Sequence, residues 1–136
     1  MKLHRLLAVT LLAPLLATAR TPAPPDAEVY FITPTDGATV TSPVTVRFGL
    51  KGMGVAPAGI QNDATGHHHL LVDTDLPALD RPVPTDDHHR HFGAGQTETL
   101  LTLEPGTHTL QLLLGDFAHI PHEPPVMSPK ITITVE

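Results

Sequence analysis

Residues 43–50 read PVTVRFGL and alternate strictly between apolar and polar or small side chains. Because successive residues of an extended chain face opposite ways, Val44, Val46, Phe48 and Leu50 would share one face. A period of two over this length predicts a strand with one buried and one exposed face. The segment therefore indicates a β protein.

Five other segments are short, rich in β-branched, aromatic or leucine residues, and bounded by turn residues, which predicts further strands. They are Glu28–Thr33, His67–Asp73, Gln96–Leu103, Thr107–Leu114 and Lys130–Glu136. The chain contains fifteen prolines and ten glycines, and these punctuate the segments between the strands. Six or seven short strands joined in this way predict an all-β fold, an immunoglobulin-like antiparallel β-sandwich.

The first residues have the layout of an export signal. Lys2 and Arg5 precede a short apolar run, and small residues follow it in an A-x-A pattern ending at Ala19. The apolar run is shorter than the roughly 20 residues that a membrane-spanning helix needs. We expect residues 1–19 to be a signal peptide cleaved after Ala19, or one to four residues later. The product would be periplasmic or secreted and would have no membrane span.

The remainder is expected to form a proline-rich leader, residues 20–27, and one β-sandwich domain, residues 28–136. The chain has no cysteine, so no disulfide could stabilise an exported domain. Eight Lys and Arg stand against fourteen Asp and Glu. This balance argues against nucleic acid as a partner, because binding to its backbone depends on clustered Lys and Arg.

Histidine is the most informative residue type, with ten in the chain. Three groups stand out: His67 to His69 on a predicted strand; His88, His89 and His91 at the end of a long loop; and His119 and His122 before the last strand. Neutral imidazole is a common ligand of copper and zinc. Residues i and i+2 of a strand share a face, so His67 and His69 can point together. If the strand and both loops meet at one end of the sandwich, a metal site follows.

Some of these residues also have a structural explanation. His108 shares a face with leucines and stands where sandwich folds often place a corner residue that bonds to the backbone. His68 alternates with Leu70 and is a candidate core histidine. Asp116, at a strand end before His119, is a candidate to orient an imidazole.

Catalytic motifs are missing from the sequence. It has no Gly-x-Ser-x-Gly elbow, no His-Glu-x-x-His pair and no Walker loop. We therefore predict no catalytic residue and no enzyme activity. A metal-dependent hydrolase with three histidines and a water on zinc stays an alternative.

Several phrases together resemble an uncharacterised bacterial family, domain of unknown function 4399. They are VYFITPTDGATVTSPVTVRFGLKGMGVAPAG, TGHHHLLVD, HFGAGQTET, PGTHTLQLLLGD and HIPHEPPVMS, which fall between Val29 and Val135. The resemblance implies a small exported domain of unassigned biochemistry. Family members look similar at the positions of His67 to His69, His91, His119 and His122. The resemblance therefore favours these residues over His88 and His89 as metal ligands.

Two hypotheses follow. The first is an exported domain that binds copper or zinc, for buffering or delivery, with ligands drawn from His67, His69, His91, His119 and His122. The second is an immunoglobulin-like interaction module of the envelope, with an envelope protein as partner and no metal. Convergence of the imidazoles would favour the first, and scattered imidazoles the second.

Overall fold

The domain consists of two packed sheets, and buried and exposed residues alternate along several of their strands. The computed structural model describes residues 19–136, and this part contains nine strands and no helix. The strands are β1 Glu28–Thr33, β2 Thr39–Val40, β3 Val44–Lys51, β4 Gly54–Val55, β5 Thr65–Val72, β6 His89–His91, β7 Glu98–Leu101, β8 Gly106–Gly115 and β9 Ile131–Val135. Apart from Ala19, the expected signal peptide lies outside the described residues. Within residues 19–136, no helix has the length and apolar character that crossing a membrane requires.

The smaller sheet has three strands in the order β1-β3-β7. The larger sheet has six strands in the order β2-β9-β8-β5-β4, and β6 also pairs with β5. The all-β sandwich expected from the sequence is confirmed. Its strand number is higher than expected because β2, β4 and β6 span only two or three residues, too few to show a period. The pairs β2–β9 and β4–β5 are parallel, so the sandwich is not purely antiparallel.

The main core lies between the two sheets and is built by alternate residues of their strands. On β3 the alternation is the expected one, with Val44, Val46 and Phe48 buried and Thr45 and Arg47 exposed. The buried apolar residues of this cluster come from both sheets and from Phe92 and Val126 in loops. Burial of this apolar surface is the main source of stability, because no disulfide is available.

The leader, residues 20–27, lies closer to the domain than expected. Ala23 and Ala27 are partly buried against the main core. The backbone N–H of Ala23 donates to the carbonyl oxygen of Glu123 at 3.0 Å. The non-proline residues of an extended segment keep backbone N–H and C=O groups that can bond to a neighbouring loop. The composition of the leader did not show that such pairing would occur.

Strand β5 is buried on both faces, and this arrangement positions the candidate site. Leu70 and Val72 face the main core. Leu71 faces the opposite side, where it packs with Val83 and Leu113 in a second small cluster. Val83 belongs to the long loop between β5 and β6, so this loop covers part of the outer face of the larger sheet.

His108 fixes the corner between β5 and β8, as its sequence position suggested. Its Nδ1 lies 2.6 Å from Oδ2 of Asp73, and its Nε2 lies 2.8 Å from the carbonyl oxygen of Glu104. Oδ1 of Asp73 accepts the N–H of Thr109 at 2.8 Å. Because both partners of the ring are acceptors, the doubly protonated imidazolium satisfies both bonds. The bond to Asp73, then the bond to Glu104, raises the pKa of His108.

We predict that His108→Ala lowers the free energy of unfolding by about 2 kcal/mol near pH 6, since it removes a charge-assisted hydrogen bond. The raised pKa means that this stabilisation is present at low pH and is lost as the pH rises through the folded-state value. Denaturant titrations at pH 6 and pH 9 measure the difference. The matched control is His88→Ala, which removes one bond from an exposed ring to the carbonyl oxygen of Val72. Equal effects of the two variants at pH 6 would contradict the prediction.

Candidate metal centre

Strand β5 supplies two imidazoles on the outer face of the larger sheet. His67 and His69 are two residues apart, so the pleat points both side chains the same way. Both are fully buried, and their ring centroids are 4.7 Å apart. The sequence pattern predicted this pair, and the structure contains it.

Strand β6 supplies a third imidazole. It pairs antiparallel with β5, and His91 is the direct partner of His69. Directly opposed residues of neighbouring strands project from the same face, so the His91 ring joins the pair. Its centroid lies 5.2 Å from that of His69 and 5.1 Å from that of His67. His91 is half-buried, which leaves one side of the group nearer to solvent.

The loop after β8 supplies the fourth imidazole. His119 has a φ of 66°, a left-handed conformation that side chains other than glycine adopt infrequently. Its N–H donates to the carbonyl oxygen of Asp116, and its own carbonyl oxygen accepts the N–H of Val83, both at 2.9 Å. These bonds turn the ring toward β5, where Nδ1 of His119 lies 3.1 Å from Nε2 of His67.

The four rings form a group that can hold a metal ion. One ring nitrogen from each of His67, His69, His91 and His119 lies within 4.8 Å of the others. In a tetrahedral zinc site with bonds of 2.0–2.1 Å, ligand nitrogens are about 3.3 Å apart. Side-chain shifts on the order of an ångström would therefore close the group around an ion.

The hydrogen bonding of the rings also fits a metal. Nδ1 of His67, both nitrogens of His69 and Nε2 of His91 are buried and have no hydrogen-bond partner. Buried polar atoms are nearly always paired, so several unpaired nitrogens at one place need an explanation. A bound cation would accept the lone pair of one nitrogen of each ring.

The protonation state of the group suits metal binding as well. Burial, followed by the nearby His119 and His91, lowers the pKa of His67 to about 4. Burial and the neighbouring imidazoles lower the pKa of His69 to about 3. The pKa of His91 is also lowered, by burial and then by His119. His67, His69 and His91 are thus neutral at pH 7, which is the form that binds metal.

Two glycines leave the space that the rings occupy. A Cβ atom on Gly115 would lie 2.6 Å from Cε1 of His69, and one on Gly93 would lie 2.3 Å from Cε1 of His91. Contacts this short cannot exist without displacing the rings. Neither glycine was predicted from the sequence. Their positions could have indicated a role beside the site, because Gly115 directly precedes Asp116 and Gly93 follows His91 by two residues.

The other histidines lie apart from the four-residue group. His122, the fifth candidate ligand, is fully buried, and its Nε2 donates to the carbonyl oxygen of Thr65 at 3.1 Å. His68 faces the main core, with its ring centroid 5.0 Å from that of Phe48. Nδ1 of His89 lies 2.8 Å from the carboxylate of Asp86 at the surface.

Asp116 supports the site through the backbone. Its Oδ1 accepts the N–H of Ala118 at 2.9 Å and that of Ile120 at 3.0 Å. The carboxylate thus shapes the turn that carries His119. Asp116 was expected to orient an imidazole directly, but its carboxylate bonds to these backbone N–H groups and to the hydroxyl of Thr21, because it lies inside the turn and not beside a ring.

We predict that the metal-free protein loses stability in acid because of its buried imidazoles. Burial lowers the pKa of His68 to about 4, and both of its ring nitrogens lack partners. Between pH 6.5 and 4 the unfolded chain binds the proton and the folded chain does not, so the free energy of unfolding falls as pH falls. The loss for His68 alone is about 3 kcal/mol across this window.

Denaturant titrations in chelator between pH 7 and 4.5 measure this loss. His68→Leu should make the pH dependence shallower, because it removes one site of proton uptake and keeps an apolar side chain. The control His88→Leu, at an exposed position, should retain the wild-type dependence. An unchanged slope in His68→Leu would contradict the prediction.

We also predict that Gly115→Ala lowers the free energy of unfolding by about 1–3 kcal/mol, because its Cβ would overlap the His69 ring. Gly54→Ala is the matched strand control, since its Cβ would make an ordinary 3.5 Å contact with Cγ2 of Thr65. That control should stay within about 0.5 kcal/mol of the wild type. Chemical denaturation of both metal-free variants measures the difference, and equal stability would refute the close packing of Gly115 on the ring.

Comparisons with known proteins give a family but no function. The family model described as Domain of unknown function (DUF4399) matches residues 46–136. No curated protein and no solved structure matches the chain. The matched region contains all four histidines of the group, both glycines that make room for them, and Asp116. The chain belongs to the DUF4399 family.

Proposed function

We propose that this protein is exported and binds one copper or zinc ion through His67, His69, His91 and His119, in order to buffer the ion or to deliver it. The observation that carries the proposal is the convergence of four imidazoles from β5, β6 and the loop after β8, with donor atoms within 4.8 Å of one another. The convergence leaves imidazole nitrogens buried without hydrogen-bond partners, which destabilises the folded state. Metal binding would offset this loss of stability.

The donor set supports copper and zinc over other common ions. All four donors are imidazole nitrogens, and the group includes neither a thiolate nor a carboxylate. Calcium and magnesium prefer oxygen ligands, whereas imidazole suits copper and zinc. Between these two, Cu(II) forms the more stable complexes with nitrogen ligands. We therefore expect the site to bind Cu(II) more tightly than Zn(II).

The number of ligands supports binding rather than turnover. Four protein ligands complete a tetrahedral zinc site, whereas catalytic zinc sites usually keep one position open for water or substrate. His67 and His69 are buried, while His91 and His119 are half-buried. An ion could therefore exchange on the side of His91 and His119, as buffering or delivery requires.

The composition supports export. The N-terminal residues have the signal-peptide pattern, and the chain has no cysteine. A site built only from histidine does not depend on thiolates, which form disulfides outside the cytoplasm. An interaction module without metal would leave its histidines scattered, and the convergence of four of them favours metal binding instead.

We predict that tag-free protein starting at Arg20 binds one Cu(II), and more weakly one Zn(II), per chain. His69→Ala should weaken Cu(II) binding by at least about 100-fold, because it removes a buried ligand and leaves three. His108→Ala is the matched control, since His108 bonds to Asp73 and Glu104 and lies outside the group. Calorimetric titration against a competing chelator measures stoichiometry and affinity at pH 7.

Two results would contradict the proposal. One is the absence of saturable binding of either ion to the wild-type protein. The other is an equal loss of affinity in His69→Ala and His108→Ala, which would indicate non-specific binding to surface histidines.

A further inference from the structure

The segment that follows the expected cleavage site folds back on the loop that carries His119. Pro22 forms an isolated parallel bridge with Glu123. The N–H of Ala23 donates to the carbonyl oxygen of Glu123 at 3.0 Å, and the N–H of Glu123 donates to that of Thr21 at 2.9 Å. Residues 20–23, called the N-terminal strap below, are thus paired with the end of this loop.

Arg20 connects the strap to a second loop. Its Nη1 donates to the carbonyl oxygen of Leu79 at 2.8 Å, and its guanidinium also pairs with the carboxylate of Glu123. Leu79 belongs to the long loop between β5 and β6, and Val83 of the same loop bonds to the carbonyl oxygen of His119. The strap therefore contacts both loops that surround the fourth ligand.

Thr21 makes the contact that reaches the site. Its hydroxyl donates to Oδ2 of Asp116 at 2.6 Å. The other carboxylate oxygen accepts the N–H groups of Ala118 and Ile120, on either side of His119. Asp116 is only 4 % exposed, so these partners, and not water, fix its orientation.

From this series of contacts we infer that the N-terminal strap is a positioning element of the metal site: Thr21 acts through Asp116 to hold His119 in place as the fourth ligand. The inference rests on the proposed function. His119 is the one member of the group on a loop, since the other three lie on β5 and β6. Its left-handed backbone is intrinsically disfavoured, so the ring keeps its position only while the surrounding bonds hold the turn.

The strap also makes the site depend on where the chain is cut. Cleavage after Ala19 keeps residues 20–23, whereas cleavage four residues later removes them. Only the longer product would then carry all four ligands in position. A chain starting at Pro24 should bind Cu(II) about as weakly as a chain that lacks the Thr21 hydroxyl.

The test compares two substitutions at one position. Thr21→Val removes the hydroxyl and keeps the shape, while Thr21→Ser keeps the hydroxyl. In chains starting at Arg20, Thr21→Val should lower Cu(II) affinity by about 10-fold to 100-fold, the range typical when a residue that orients a ligand is lost. Thr21→Ser should stay close to the wild type. Thr45→Val, at an exposed position of β3, is the control for the substitution itself.

A double-mutant cycle separates positioning from a general loss of stability. If Thr21 acts through His119, Thr21→Val should not weaken Cu(II) binding further in a His119→Ala background. Electron paramagnetic resonance of the Cu(II) complex should show fewer coordinated nitrogens in Thr21→Val than in the wild type. An equal loss in both backgrounds, or an unchanged affinity of Thr21→Val in the wild-type background, would overturn the inference. No saturable Cu(II) binding by the wild type would overturn the proposed function as well.

Discussion

The burial of β5 on both faces is the constraint on which the fold and the candidate site depend. One face places His68, Leu70 and Val72 in the main core, and the other places His67 and His69 in the group of four histidines that could hold a metal ion. Since a shift of one residue would exchange the two faces, the apolar core also fixes the direction of the imidazole pair. The pair therefore has a position set by the most buried strand of the domain. The other two histidines of the group, His91 on β6 and His119 on the loop after β8, lie next to this pair.

The site works against the stability of the domain that holds it. Several imidazole nitrogens are buried without partners, and the chain has no disulfide to offset the cost. An ion that binds only the folded state would stabilise the domain in proportion to the logarithm of its concentration over Kd. On the proposed function, metal binding and folding are thus coupled. Acid would oppose both, because it protonates the unfolded chain first.

The sequence was sufficient for the features that depend on local pattern. The period of two placed β3, composition and flanking turn residues indicated β5, and the shared face of residues i and i+2 paired His67 with His69. It was not sufficient for β6, whose three residues acquire their strand character by pairing with β5. Nor could it separate His119 from His122, three residues apart on one loop. His119 is held by the local turn that Asp116 stabilises and by the N–H of Val83, which comes from the distant loop between β5 and β6.

The aspartates of this protein contact histidines in two ways, and the difference bears on function. Asp73 touches the His108 ring directly and raises its pKa, which favours the protonated form. Asp116, whose turn carries His119, bonds instead to backbone N–H groups and to Thr21. Its charge does raise the pKa of His67, but burial outweighs it and the net shift is downward. Support through the backbone therefore holds the turn in place, and the lowered pKa values of His67, His69 and His91 mean that protons would compete little with a metal ion for these three rings at neutral pH.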